Sequence, residues 1–188
     1  MQQQVKQHEQ PLIFPQVPAG EESHVDNVFA GVKQHMGFIP DGLRLYSISP
    51  PLLDTFMGNI SYFNNGERIA PSLMAMIRYL VSWESKCHFC IDMNEGFLTN
   101  MGLKLDDIRA ARNNPDAAPI PAREKPLLML ALKSINKPEQ VDAKDIQAAK
   151  ALGWTDRDIF DVVAQAAGIL AFNHVLRTFK VESQGVFA

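Results

Sequence analysis

Residues 84–94 read Glu84-Ser85-Lys86-Cys87-His88-Phe89-Cys90-Ile91-Asp92-Met93-Asn94, and they hold the only two cysteines of a 188-residue chain. At the start of a helix, residues three apart share a face, so the two sulfurs can approach each other. Amides left unpaired at a helix start, together with the helix dipole, favour thiolate over thiol. Lys86 adds a positive neighbour. The stretch therefore predicts a depressed thiol pKa and ready disulfide exchange.

Upstream, Pro71 opens a helix whose Leu73, Met74, Ile77, Leu80 and Val81 fall on one side. Before it, Pro50-Pro51 opens another carrying Leu52, Leu53, Phe56, Met57 and Ile60, stopped by Asn64-Asn65-Gly66. A helix from Ser23 to His35, capped by Ser23 and stopped by Gly37, and a short element from Asp41 to Ile48 precede these. Downstream, the helix of the cysteines runs on to Gly102, and Asp106 to Arg112 forms a short helix. A Pro-rich loop covers 115–121. Three helices follow, over Arg123 to Asn136, Asp142 to Leu152 and the residues after Thr155. Thr155 and Asp158 make an approximate capping box, with Asp in place of Glu. No stretch alternates with period two, so the prediction is an all-α fold.

Residues 1–22 read as an N-terminal arm, Gln-rich at first, with an apolar island Leu12-Ile13-Phe14-Pro15 suited to docking on a neighbouring subunit. Residues 23–188 are expected to form a single helical domain. The net charge is −3 with pI near 5.9, which provides no basic footprint for nucleic acid or an anionic membrane. The apolar stretches, Val162 to Phe172 among them, read as too short and too interrupted by polar residues to span a bilayer. No signal peptide is legible, and the expected location is cytoplasmic.

Three other readings of the cysteine pair compete with a redox role. Two structural cysteines can meet in a core. A structural zinc site needs four ligands, and with two thiols it would have to recruit His88, His35 or His174, with no second spaced pair to help. A thioredoxin-like protein needs βαβ patterning, which is missing. No metal and no bound cofactor are expected.

The order of elements carries a resemblance. A helix leads into Cys-x-x-Cys with an aromatic before the second Cys, then a helix ending in Gly. A Pro-containing loop, an Arg-Glu-Lys-Pro-Leu-Leu-Met-Leu-Ala-Leu-Lys helix (123–133), a Gly-Trp-Thr-Asp-Arg-Asp-Ile turn (153–159) and an Ala-Ala-Gly-Ile-Leu-Ala-Phe-Asn-His-Val-Leu-Arg ending (166–177) follow. This resembles the AhpD-like, peroxidase-related branch of the carboxymuconolactone decarboxylase superfamily over about residues 50–180.

The resemblance implies an AhpD-like helical fold and a thiol–disulfide or alkyl hydroperoxide reductase chemistry. It implies that Cys90 reacts with the peroxide and that Cys87 is its disulfide partner. The sulfenic acid formed on one sulfur condenses with the other, and an external dithiol resets the pair. A homo-oligomer, a trimer or a hexamer, is implied too. The chain departs from the motif twice: the His expected four after Cys90 is Asn94, and the Glu expected about twelve before Cys87 is Ala75. Asn94 can hydrogen-bond but cannot exchange a proton near neutral pH. Losing such a base commonly slows a proton-transfer step by about 10²–10⁴-fold.

Glu84 and His88 are the remaining candidates for a supporting role. Glu84 shares the sulfur side only if the helix is continuous through residue 87, and is otherwise a solvated helix end. His88 lies roughly 100° around the helix from Cys87, at the pocket mouth or on the surface. His174 reads as a core or interface histidine. Asn173 and Arg177, at i and i+4, read as fasteners of helices or subunits. The alternative to an enzyme is a non-enzymatic helical oligomer whose thiols sense redox state or staple two helices. A decarboxylase on this fold would need a catalytic His or carboxylate, for which the sequence offers no convincing candidate.

Overall fold

The structure, a computed structural model, describes residues 10–187; the first nine residues of the expected arm and Ala188 lie outside the described residues. Among the described residues there are helices and turns but no strand. The chain divides into two compact units, one running to Ser61 and resuming at Val175, the other Tyr62–His174.

In the first unit, α1 (Glu22–Met36) ends where Gly37 takes the left-handed φ of +80° that suits a residue without Cβ. Its cap is Glu21, with no side-chain hydrogen bond. Ser23 lies inside the helix, because the Glu22 carboxylate turns back to accept from the Gly20 amide (2.8 Å) and closes the first turn without it. Helices α2 (Asp41–Tyr46) and α3 (Pro50–Asn64) follow. Val25, Val32, Leu43 and Leu53 make the core, with Phe29, Met36, Phe56 and Ile60 packed on it.

The apolar island touches the C-terminal segment of its own chain, with Leu12 and Phe14 still largely exposed. The Leu12 amide donates to the Phe179 carbonyl (3.0 Å), and the Phe14 ring meets Phe187 edge-on at 6.2 Å. The island thus lies on the C-terminal segment of its own chain. That segment is tied in turn to Asp41, whose carboxylate accepts from the Gly185 and Val186 amides.

The second unit is organised by α4 (Pro71–Glu84). Leu73 to Ile77 and Tyr79 to Ser82 are all buried, so α4 is covered on nearly every side rather than along one stripe. Against it pack α5 (His88–Asn100) and α7 (Lys125–Asn136), with α6 (Leu105–Ala110) on α5 and α8 (Ala143–Lys150) on α7. The Pro-rich loop holds two short 3-10 turns, Pro115–Ala117 and Ala122–Glu124. Asp142 and Asp145 cap α8 reciprocally.

The last helix, α9 (Asp156–Thr178), is one unbroken rod of 23 residues. It corrects the expectation about membrane length: α9 is long and apolar enough to cross a bilayer, with a mean hydropathy of 1.5 over its best window. The helix runs on at both ends of the Val162–Phe172 stretch, and its polar interruptions Gln165 and Asn173 are buried. Within this unit Ile159, Val162, Ala166, Ile169 and Phe172 form a buried stripe at intervals of three and four, the pattern of a core helix.

The predicted capping box is present. The Thr155 hydroxyl accepts from the Asp158 amide (3.2 Å), and Asp158 accepts from the Thr155 amide (2.8 Å). Arg68 adds a two-toothed bond to the same carboxylate. Thr155→Ala removes the cap and is expected to lower unfolding stability by about 1 kcal/mol, measured by urea titration. An unchanged midpoint would show that Arg68 alone anchors the start of α9.

Candidate functional site

The cysteines and the residues described with them belong to the Tyr62–His174 unit. At the end of α4, Ser85 closes the last turn and Lys86 adopts φ of +58°, an uncommon left-handed conformation for a side chain of its size. That turn breaks the helical path between Glu84 and Cys87. Glu84 consequently does not share the sulfur side: it is exposed and accepts from Asn136 Nδ2 (2.6 Å). The Cys87 amide donates to the Ser82 carbonyl (3.0 Å), and Cys87 becomes the residue that caps α5. Cys90 stands one turn in.

Both cysteines are reduced and buried, and their thiols are hydrogen-bonded to each other. The expected depression of the thiol pKa is not found at Cys90. The bond to Cys87, burial, and the charge Cys87 would carry all push the Cys90 thiol well above its ordinary range. Lys86, exposed at the turn, is not among the influences on it.

His88 is exposed, as is His174, which therefore is not a core residue. Asn94 is the supporting residue drawn into the interior. Its Nδ2 donates to the Cys90 carbonyl (2.8 Å), and its Oδ1 accepts from Arg78 Nε (2.9 Å). Ala75, in the position of the motif's Glu, is fully buried among apolar neighbours on α4.

Sequence reasoning missed Arg78. It lies on α4, largely buried, and its Nη1 also reaches Gln165 Oε1 on α9 (3.4 Å). Burial lowers its pKa to about 10, so it keeps its charge at neutral pH. A charged residue inside an otherwise apolar run, Met76-Ile77-Arg78-Tyr79-Leu80, was the available signal.

A second polar cluster stands beside it. Tyr79 donates to Glu95 (2.9 Å), and Arg109 and Arg112 both bind that carboxylate at 2.7 Å. Burial, reinforced by the bond to Glu95, pushes the Tyr79 hydroxyl up to about 12. The Arg112 guanidinium lies 4.2 Å over the Trp83 ring. On the other flank, buried Asn173 donates from Nδ2 to the hydroxyls of Ser82 (3.1 Å) and Ser85 (2.8 Å). Asn173 is thus a fastener of α9 to the turn that leads into Cys87. Among the described residues no group of three or more His, Cys, Asp or Glu could hold a metal ion.

No family model matches the chain, and no curated protein is significantly similar to it. Solved structures are. An uncharacterised peroxidase-related protein from Silicibacter sp. TM1040 aligns with TM-score 0.81 at 20% identity, covering 93% of this chain and 92% of that one. An alkylhydroperoxidase AhpD core protein, also peroxidase-related and uncharacterised, from Ralstonia eutropha JMP134 aligns with TM-score 0.77 at 21% identity over 88% of each chain. A cysteine-to-alanine variant of the debrominase Bmp8, in complex with 2,3,4-tribromopyrrole, aligns with TM-score 0.70 at 18% identity, covering 88% and 89%. The fold is therefore that of the AhpD core, as the order of motifs implied. It is shared by proteins described as peroxidase-related and by a debrominase.

Two outcomes test this geometry. Asn173→Ala strands buried Ser82 and is expected to lower stability by about 1–3 kcal/mol and to speed reaction of the thiols with Ellman's reagent. The folded Cys90 thiol holds its proton more tightly than an unfolded one, which ionises near pH 8.5. The stabilisation this provides is complete below that pH and is lost progressively above it. Melting temperatures should therefore fall more steeply above about pH 8.5 for the reduced protein than for its disulfide form, which has no thiol to titrate.

Proposed function

We propose that this protein is a thiol–disulfide oxidoreductase of the AhpD-like kind, acting on hydroperoxides through Cys87 and Cys90 with no bound cofactor. The observation that carries the reading is the pair of reduced thiols, hydrogen-bonded to each other across the first turn of α5. Two sulfurs in that relation can pass between dithiol and disulfide with little backbone movement. The peroxidase-related neighbours support the same chemistry.

The reaction balances on the two sulfurs. One thiolate attacks the terminal peroxide oxygen, the O–O bond breaks, and the alcohol leaves with a proton. The sulfenic acid then condenses with the second thiol, releasing water and forming the disulfide. An external dithiol reduces it, taking the oxidising equivalents away by exchange. The charge of one sulfur raises the pKa of the other, so a single thiolate serves each turnover. The bond to Cys87 and burial hold the Cys90 proton tightly, so the first thiolate forms only at a raised pH. Asn94 holds the first turn of α5 but supplies no proton, so turnover is slow near neutrality.

Full burial of both sulfurs favours a second reading, a redox-sensing or structural pair in a non-enzymatic oligomer. Reduced protein mixed anaerobically with cumene hydroperoxide separates the two. Under the enzyme reading both thiols disappear together, Cys87→Ser and Cys90→Ser each abolish disulfide formation, and the rate rises about tenfold per pH unit between 7 and 9 as thiolate accumulates. Thiols that persist under a large peroxide excess throughout that range would end the enzyme reading.

A further inference from the structure

The ionic pairs of the Tyr62–His174 unit are distributed against what burial asks for. Exposed Arg68 is given Asp158, and exposed Arg109 is given Glu95. Arg78, largely buried in the same unit, has no carboxylate at all. A buried cation without a counter-charge is expensive, and hydrogen bonds to neutral groups recover only part of the cost. Two acids of the same unit are engaged elsewhere: Glu95 by Tyr79, Arg109 and Arg112, and Glu84 by Asn136.

The guanidinium is held but not saturated. Nε is fixed by Asn94 Oδ1, and Nη1 makes only the 3.4 Å contact to Gln165. Nη2 has no hydrogen bond among the described residues, and it is not one of the fully enclosed polar atoms that lack a partner. Nη2 is therefore left to donate to a ligand, with Nη1 beside it only weakly engaged. A planar fork of this kind matches a carboxylate with two parallel hydrogen bonds. Asn94 connects it directly to the Cys90 carbonyl, so a ligand bound there sits beside the thiol turn.

We propose that Arg78, oriented by Asn94 and Gln165, is the recognition site for a carboxylate, and that the substrate of the thiol pair is a carboxylate-bearing organic hydroperoxide. The substrate clause rests on the thiol chemistry proposed above; the carboxylate site does not. Charge fixes the class. With both thiols protonated, the site carries one uncompensated positive charge, which a monoanion neutralises and a phosphate dianion would exceed.

The test is binding at equilibrium, which needs no turnover. Reduced wild-type protein is titrated calorimetrically with benzoate, benzamide and chloride at constant ionic strength. Benzoate is expected to bind at least about tenfold more tightly than the uncharged benzamide, and Arg78→Met to weaken benzoate by at least about tenfold, with Arg78→Lys in between. The pH profile of iodoacetamide alkylation is expected at the same position in wild type and Arg78→Met. Equal affinity for benzoate and benzamide, or for benzoate and chloride, in the wild type would overturn the carboxylate site whether or not the variants fold. An alkylation profile moved to higher pH by a unit or more in Arg78→Met would make Arg78 a thiolate counter-ion and overturn it too. Failure of the peroxide reaction with benzoate binding intact would instead remove the thiol reading and leave the anion site standing.

Discussion

A charge carried into a helix that is buried on nearly every side has to be surrounded by polar groups, and that requirement shapes the whole neighbourhood of the thiols. Arg78 stands on α4 with apolar residues before and after it. Its charge is met by the carboxamides of Asn94 on α5 and Gln165 on α9. Each of those amides is thereby fixed in place, and Asn94 passes the constraint on to the backbone of Cys90. One guanidinium thus sets the relation of three helices around the first turn of α5.

Two effects compete at the sulfurs, and their sizes decide the outcome. A helix start favours an anion by about 0.3–1 kcal/mol at an exposed position. Burial moves a thiol the other way by up to about 3–5 pKa units, several times larger at about 1.4 kcal/mol per unit. At Cys90 burial and the neighbouring sulfur prevail. A helix N-terminus therefore does not make a thiol reactive on its own, because the same packing that builds the turn also removes the water that would stabilise the anion.

The site also handles charge differently from the motif it resembles. Where that motif has a Glu and a His, this chain has buried Ala75 and an amide, Asn94. The ionisable groups have moved outward into the Glu95–Arg109–Arg112–Tyr79 cluster and inward to Arg78. The first is closed, with one carboxylate shared between two guanidinium groups, and stiffens the junction of α4, α5 and α6. The second is open, with a positive charge left over. A site made of a cation and neutral amides is built to hold something negative rather than to shuttle protons.

The sequence by itself determined the elements that local chemistry controls. Pro50 and Pro71 opened helices, Gly37 and Gly102 followed their ends, and Thr155 with Asp158 capped α9, because caps and breakers act over three or four residues. The three-residue spacing brought the sulfurs together for the same reason. Only the tertiary structure decided what each side chain faces. It turned Glu84 away through the left-handed Lys86, exposed His174, laid the Leu12–Pro15 island on the C-terminal segment of its own chain and placed Arg78 against Asn94 and Gln165. It also reversed the expected direction of the Cys90 pKa. Apart from the Cys87–Cys90 bond, these depend on contacts between residues 16 to more than 160 positions apart, and on the water such contacts exclude, neither of which a local pattern of residues encodes.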